Sequence, residues 1–301
     1  MKIAVLSIGP GNYTTKRLKE AIRERGHEAV RISYKRAYMK IESNRPSVHI
    51  DGQSIQGIDA VIPRIAASYT SYGAAVVRQF EMQRVYSSVS SLALVRSRDK
   101  LRSMQLLARA GIGIPKTVFA NQTTDTNDLL ELIGGAPAVV KLVSSTHGKG
   151  VVLAETKKAA KSVIEAFHSL GANFIVQEFI EEAGGADIRA IVVGDKVVGA
   201  MMRQGADGEF RSNLHRGGTS LPIVLTRKEQ NLAVKAAKTL GLTISGVDIL
   251  RSKRGPLILE VNSSPGIQGT ERETGFDVAG AIVDYVIEKA GGKHRKDRIG
   301  A

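Results

Sequence analysis

Two carboxylates and an amide oxygen are the side chains in this sequence best suited to hold a divalent cation. The run Leu257-Ile258-Leu259-Glu260-Val261-Asn262 is apolar apart from Glu260 and Asn262. In a strand these two share a face, because side chains alternate. A second apolar run, Val247-Asp248-Ile249-Leu250, carries one acid, and the turn Ser252-Lys253-Arg254-Gly255 lies between the runs. That order predicts a hairpin, which would bring Asp248, Glu260 and Asn262 together. Oxygen-only ligands suit magnesium or manganese rather than zinc. Magnesium held by few protein groups usually completes its shell with substrate phosphates. A lone acid in a strand is usually a solvated edge residue. Two on paired strands, ahead of Ser263-Ser264-Pro265-Gly266, form a rarer set that points to a nucleoside triphosphate.

Other segments fit the same chemistry. Val139-Val140-Lys141 puts a lysine in an apolar strand, where a charge is costly without a partner; a phosphate oxygen would supply one. The loop from Ser144 to Gly150, with Ser145, Gly148 and Gly150, suits a phosphate cover, although it lacks the Walker A spacing. Val176-Gln177-Glu178-Phe179-Ile180 reads as a hinge whose backbone can meet an adenine edge while Phe179 and Ile180 cover the ring. Glu181, Glu182 or Asp187 could take ribose hydroxyls. Arg211-Ser212-Asn213 is dense in donors, and Arg211 suits charge that develops during phosphoryl transfer. Gly9-Pro10-Gly11 reads as a plain turn rather than a dinucleotide loop.

The elements that must position these groups follow from the pattern. Strands are expected at 2–7, 29–33 and 60–65, with a basic helix at 14–25, which implies an open, largely parallel sheet. A helix is expected at 97–110, then strands at 138–143 and 151–154, a helix at 157–170 and a strand at 174–178. A hairpin is expected at 188–193 and 197–202, a helix opening on the capping box Thr226 to Glu229, and a last helix at 275–289. The 301 residues include no cysteine, which excludes a disulfide framework and a thiolate zinc site. No apolar run reaches membrane-spanning length, so a soluble cytoplasmic protein is expected. The formal charge of +14 implies acidic partners. No aromatic–basic ladder of the RNA-binding type is present, and direct nucleic-acid contact is not expected.

The order Lys100, Lys141, Gly-rich loop, hinge, Asp187-Ile188-Arg189, Arg211-Ser212-Asn213, Asp248 and Glu260-Val261-Asn262 resembles the ATP-grasp ligases. With Val61-Ile62-Pro63-Arg64-Ile65, Arg78-Gln79-Phe80-Glu81-Met82 and Phe210 to Gly218, the chain more closely resembles the RimK family of alpha-L-glutamate ligases. The resemblance implies an α/β protein of ATP-grasp fold with an N-terminal open parallel-sheet domain at 1–96. A central lobe at 97–182, a C-terminal lobe at 183–290 and a disordered tail at 291–301 complete it.

It further implies an ATP-dependent carboxylate–amine ligase that works through an acyl phosphate. Lys100 and Lys141 would contact phosphates, under the loop bearing Ser145, Gly148 and Gly150. Glu178, Phe179 and Ile180 would meet adenine, and Asp187 the ribose. Arg211, Ser212 and Asn213 would meet the phosphates, with Arg211 and Asn213 steadying the transferred group. Asp248, Glu260 and Asn262 would hold two Mg²⁺ or Mn²⁺ ions, Glu260 bridging. L-glutamate would be added to the C-terminus of a small-subunit ribosomal protein by a homotetramer. Arg64, at the C-terminal end of its strand where open sheets bind ligands, Arg189 and Arg203 are candidates for substrate carboxylates. Other readings are an ATP-grasp ligase acting on an amino-group carrier protein or a glutamate-tailed cofactor, and a non-catalytic ribosome binder.

Overall fold

The computed structural model describes residues 1–121, 125–143, 150–206, 208–210, 212 and 217–292. The chain begins β1 (Lys2–Leu6), α1 (Tyr13–Glu24), β2 (Glu28–Ile32), β3 (Tyr38–Lys40), β4 (Ser47–Ile50), β5 (Gln53–Ser54), β6 (Ala60–Pro63), α2 (Thr70–Met82) and β7 (Tyr86–Ser87). Strands β2-β1-β6-β7 form the expected parallel sheet. Ile3 to Leu6 are fully buried, as a parallel strand covered on both faces requires. The small sheet β3-β4-β5 and helix α2 are additions to the expected pattern.

The expected helix at 97–110 is two helices, α3 (Ser91–Arg98) and α4 (Lys100–Arg109). Asp99 divides them: it ends α3 and caps α4 by accepting from the Arg102 N–H at 2.9 Å. An aspartate that can satisfy a free helix N–H favours a cap over a helix interior. The break sets Arg98 and Lys100 on different helices.

Next come β8 (Thr117–Ala120), α5 (Thr126–Ile133), β9 (Ala138–Leu142), β10 (Val151–Ala154), α6 (Lys157–Ser169) and β11 (Phe174–Glu178). Their antiparallel sheet, in the order β10-β9-β11-β8, packs on α5 and α6 around Leu130, Ile133, Val140, Ile164, Phe174 and Val176.

The last part holds β12 (Ala186–Val193), β13 (Lys196–Gln204), β14 (Thr219–Pro222), α7 (Arg227–Thr239), β15 (Ile244–Ser252), β16 (Gly255–Asn262), α8 (Gln268–Thr274) and α9 (Val278–Ala290). The capping box Thr226–Glu229 opens α7 as expected. The last helix is preceded by a separate one, because left-handed Gly275 (φ 65°) stops α8 and Asp277 caps α9. The antiparallel sheet runs β14-β13-β12-β15-β16. Its core is continuous with that of the first sheet, whereas the middle lobe has a core of its own. Among the described residues no helix is long and apolar enough to cross a membrane. Ser145, Gly148, Arg211, Asn213 and the tail beyond Gly292 lie outside the described residues.

Candidate active site

The β15–β16 hairpin aligns the candidate cation ligands, and it does so through an irregularity. From the turn outward the pairs are Ser252↔Gly255, Arg251↔Pro256, Leu250↔Leu257 and Ile249↔Ile258. Regular continuation would set Asp248 opposite Leu259. Instead the register slips, and Asp248 faces Glu260, Val247 faces Val261 and Gly246 faces Asn262. Leu259 is the extra residue of a β-bulge. Ile258 and Glu260 are two apart and would share a face in a regular strand. The bulge lets Ile258 stay buried while Glu260 is exposed.

Asp248 is buried within a network of four charges. Arg189, directly opposite it on β12, grips both its oxygens, with Nη2 to Oδ2 at 2.7 Å. Arg203 on β13 reaches the same Oδ2 at 3.0 Å and makes a two-pronged contact with Asp187, its own cross-strand partner. Burial disfavours the Asp248 carboxylate, but Arg189 and Arg203 outweigh it and hold its pKa below the usual range. Burial, and next the charge of Asp248, push Asp187 upward. Arg189 and Arg203 are thus satisfied by protein carboxylates here, and Asp187 meets Arg203. Gly246 makes room for the network: a Cβ there would stand 2.8 Å from the Pro265 Cβ and 3.1 Å from the Arg189 Cδ.

Glu260 faces cations from the middle lobe. Its charge acts on Lys100, Lys141 and Arg98. Lys141 donates to the Gln177 Oε1 at 2.5 Å, and Gln177 in turn donates to the Thr117 hydroxyl at 2.8 Å. Burial lowers the Lys141 ammonium to about 8 against the opposing pull of Glu260. Lys100, the first residue of α4, donates to the Leu142 carbonyl at 3.3 Å, and burial lowers its pKa as well. Gly150 closes the loop with φ 62°, where a Cβ would meet Leu142 at 2.6 Å. Ser212 is half-buried.

At the hinge the Glu178 carboxylate accepts from the Lys116 N–H at 2.6 Å and is forked by Arg254 of the β15–β16 turn. The backbone beyond it carries Phe179, edge-on to Phe210 with centroids 6.3 Å apart, and buried Ile180. The same turn donates the Lys253 N–H to Glu182 at 2.9 Å. The hairpin therefore meets the hinge at its turn and carries Asp248 and Glu260 toward its open end.

Arg64 continues the β6 ladder, its N–H donating to the Leu6 carbonyl at 2.9 Å, while its Nη1 donates to the Pro265 carbonyl at 2.5 Å. Arg98, absent from the sequence-based candidates, lies nearby and donates to the Ile65 carbonyl at 2.7 Å. Its signal in the sequence was its place beside Asp99 and Lys100. Arg254 was likewise read only as a turn residue.

The donor set fits a hard divalent cation. Glu260 has no hydrogen bond or ion pair among the described residues. All three ligand oxygens are of the kind magnesium takes. Asp248 would join them in competition with its guanidinium partners.

The architecture is that of the ATP-grasp ligases. A structure of the ATP-grasp ligase PsnB, complexed with minimal precursor, Mg and ADP, matches with a TM-score of 0.75 at 22% identity, over 96% of this chain and 98% of that one. Residues 97–286 match the RimK-like ATP-grasp domain, and residues 1–94 match the RimK PreATP-grasp domain. The chain belongs to the RimK family, and it is an ATP-dependent carboxylate–amine ligase. Among its relatives are probable alpha-L-glutamate ligases of Vibrio cholerae serotype O1, 58% identical over 298 residues and 99% of each chain, and of Pseudomonas aeruginosa, 60% identical over 294 residues, 98% of this chain and 97% of that one.

Proposed function

We propose that this ligase adds L-glutamate to the C-terminal carboxylate of a small-subunit ribosomal protein through alpha linkages, and makes poly-alpha-glutamate by the same chemistry. The observation that carries the reading is the slipped register of β15 and β16. It opposes Asp248 to Glu260, whose charge acts on Lys100 and Lys141, in a chain 58–60% identical to proteins named as probable alpha-L-glutamate ligases. The surplus of 43 basic over 29 acidic side chains suits a growing anionic product.

Lys100 and Lys141 bind the triphosphate, and Lys141 exchanges a neutral amide partner for phosphate oxygens. The backbone from Glu178 to Ile180 meets adenine, and Asp187 shares its carboxylate between Arg203 and the ribose. Arg211 and Asn213 steady the transferred group. Asp248, Glu260 and Asn262 would hold Mg²⁺ or Mn²⁺ ions, which would neutralise triphosphate charge. An acceptor carboxylate oxygen attacks the γ-phosphorus and ADP leaves. The glutamate amine then attacks the acyl carbon, inorganic phosphate leaves with the bonding pair, and the nitrogen loses a proton. Positioning and fixed charge carry the catalysis, with no covalent enzyme intermediate.

The test is incubation with ATP, Mg²⁺, glutamate and the ribosomal acceptor, followed by intact mass and fragmentation of the product. Mass steps of one glutamate residue, alpha-linked at the C-terminus, are expected. Gamma linkages or additions at lysine side chains would refute the reading. Extension of an amino-group carrier protein, with no change in the ribosomal protein, would reassign the acceptor.

A further inference from the structure

Among the described residues four arginines lie around the candidate site, and the protein treats them in two ways. Arg189 and Arg203 are fully matched by Asp248 and Asp187. Arg64 and Arg98 are not. Among the described residues neither pairs with a carboxylate; each donates to one backbone carbonyl, that of Pro265 or Ile65. Each has a buried Nε with no partner. Both side chains are half-buried, and a guanidinium drawn partly out of water without a paired carboxylate is costly, whereas structural arginines are ordinarily paired. The two also repel: after burial itself, Arg98 is the main influence that lowers the Arg64 pKa to about 10.

Further unmatched donors adjoin them. Among the described residues the Oγ atoms of Ser263 and Ser264 and the Nδ2 of Asn262 are buried without partners, on the segment that leads to Pro265. A void of about 10 Å³ beside Arg64, with Ser88 and Ser263 in an otherwise mostly apolar lining, has room for a single water-sized oxygen and not for a carboxylate. Asn262 ends β16 two residues after Glu260, and Glu260 acts electrostatically on Arg98, so these donors flank the candidate cation site.

We propose that Arg64 and Arg98, with the unmatched donors of Asn262, Ser263 and Ser264, form the subsite that holds the carboxylates of the incoming amino acid. The assignment rests on the glutamate-ligase reading and deepens it. The chemistry selects this substrate among three anions. The triphosphate has Lys100 and Lys141. The acceptor carboxylate gives up its charge when it becomes an acyl phosphate. The incoming amino acid keeps its α-carboxylate throughout, and glutamate keeps a second one, so a fixed pair of guanidiniums matches it at every step. Gripping those carboxylates also orients the amine, which alone must reach the acyl carbon. Arginine suits this better than lysine, because its planar fork binds a carboxylate with two parallel N–H bonds.

The experiment compares the full chain with Arg64→Met, Arg98→Met and Arg98→Lys. It reads the KM for glutamate, the KM for ATP, thermal unfolding, and calorimetric binding of glutamate and of glutarate with Mg²⁺ and ADP present. Either methionine variant should raise the glutamate KM by roughly 30-fold or more, as expected when one partner of a buried charged contact is truncated, with the ATP KM within about twofold. Arg98→Lys keeps the charge without the fork, should fold even where Arg98→Met does not, and should fall between the two. An unchanged glutamate KM in a folded variant, or an equal loss of ATP affinity, would overturn the subsite while leaving the ligase reading intact. Wild-type turnover with a different amino acid would overturn the glutamate reading. The subsite would then be judged by the KM of that amino acid in the same variants. Absence of both turnover and binding with glutamate and glutarate in the wild type would overturn both.

Discussion

Replacing Lys141 by methionine should trade ligand binding for stability, in a way that pH reveals. At neutral pH the folded chain holds a buried ammonium whose pKa is lowered from the usual 10.5 to about 8. At roughly 1.4 kcal/mol per pH unit, that charge costs the apo protein about 3 kcal/mol. The folded pKa lies below the unfolded one, so the unfolded chain binds more protons between pH 8 and 10.5. The penalty is full below that window, fades across it and is gone above it. Methionine removes the penalty but leaves the Gln177 Oε1 without its donor. That loss costs about 1–3 kcal/mol and does not depend on pH. The two effects nearly offset at pH 7, so the diagnostic quantity is the pH dependence of the difference. Urea unfolding of both proteins between pH 7 and 10.5 should show the wild type gaining about 3 kcal/mol relative to the variant. ATP binding, measured by calorimetry, should weaken by roughly 30-fold or more in the variant. In the wild type at pH 8.5 ATP binding should be accompanied by proton uptake, because phosphate favours the ammonium form. A pH-independent stability difference, or undiminished ATP affinity, would refute the reasoning.

Glu260→Gln should abolish ligation while weaker ATP binding survives; near-normal phosphate release from the folded variant would sink the cation assignment. Arg203→Met strands the buried Asp187 carboxylate and leaves Asp248 to Arg189 alone, and should destabilise the protein by about 3–5 kcal/mol in urea unfolding; a loss below about 1 kcal/mol would show that Arg189 alone suffices. Arg254→Ala breaks a pair in which the arginine is 47% exposed, so the ATP KM should rise by only about two- to fivefold, with kcat nearly unchanged. A larger change would mean that the Glu178 side chain itself meets the nucleotide.

What the sequence revealed was local. The parallel first sheet, the capping box at Thr226 and the hairpin that joins Asp248 to Glu260 all follow from periodicity or turn chemistry over a few residues. The break at Asp99 was hidden because a cap preference of about 1 kcal/mol is easily overridden by packing, and the choice depends on what the flanking helices pack against. The pairings of Asp187 with Arg203 and Asp248 with Arg189 require the relative register of β12, β13 and β15, which no single strand encodes. Arg98 and Arg254 take their meaning from partners 33 and 76 residues away. A nearby charge pattern cannot announce such contacts, whereas burial without a counter-ion is visible only once the chain is folded.

The bulge at Leu259 also insulates one end of its hairpin from the other. Strand faces repeat every second residue, so gaining or losing a single residue normally inverts everything downstream. Here the inversion is absorbed inside the strand: the turn that carries Arg254 keeps one phase and the pair Asp248–Glu260 keeps another. Leu259 works as an expansion joint. The turn side and the carboxylate side are held in different phases, with the mismatch taken up at one residue. In lineages of such chains, diversity of length should collect between Ile249 and Ile258, and the outer ends of the two strands should hold their spacing.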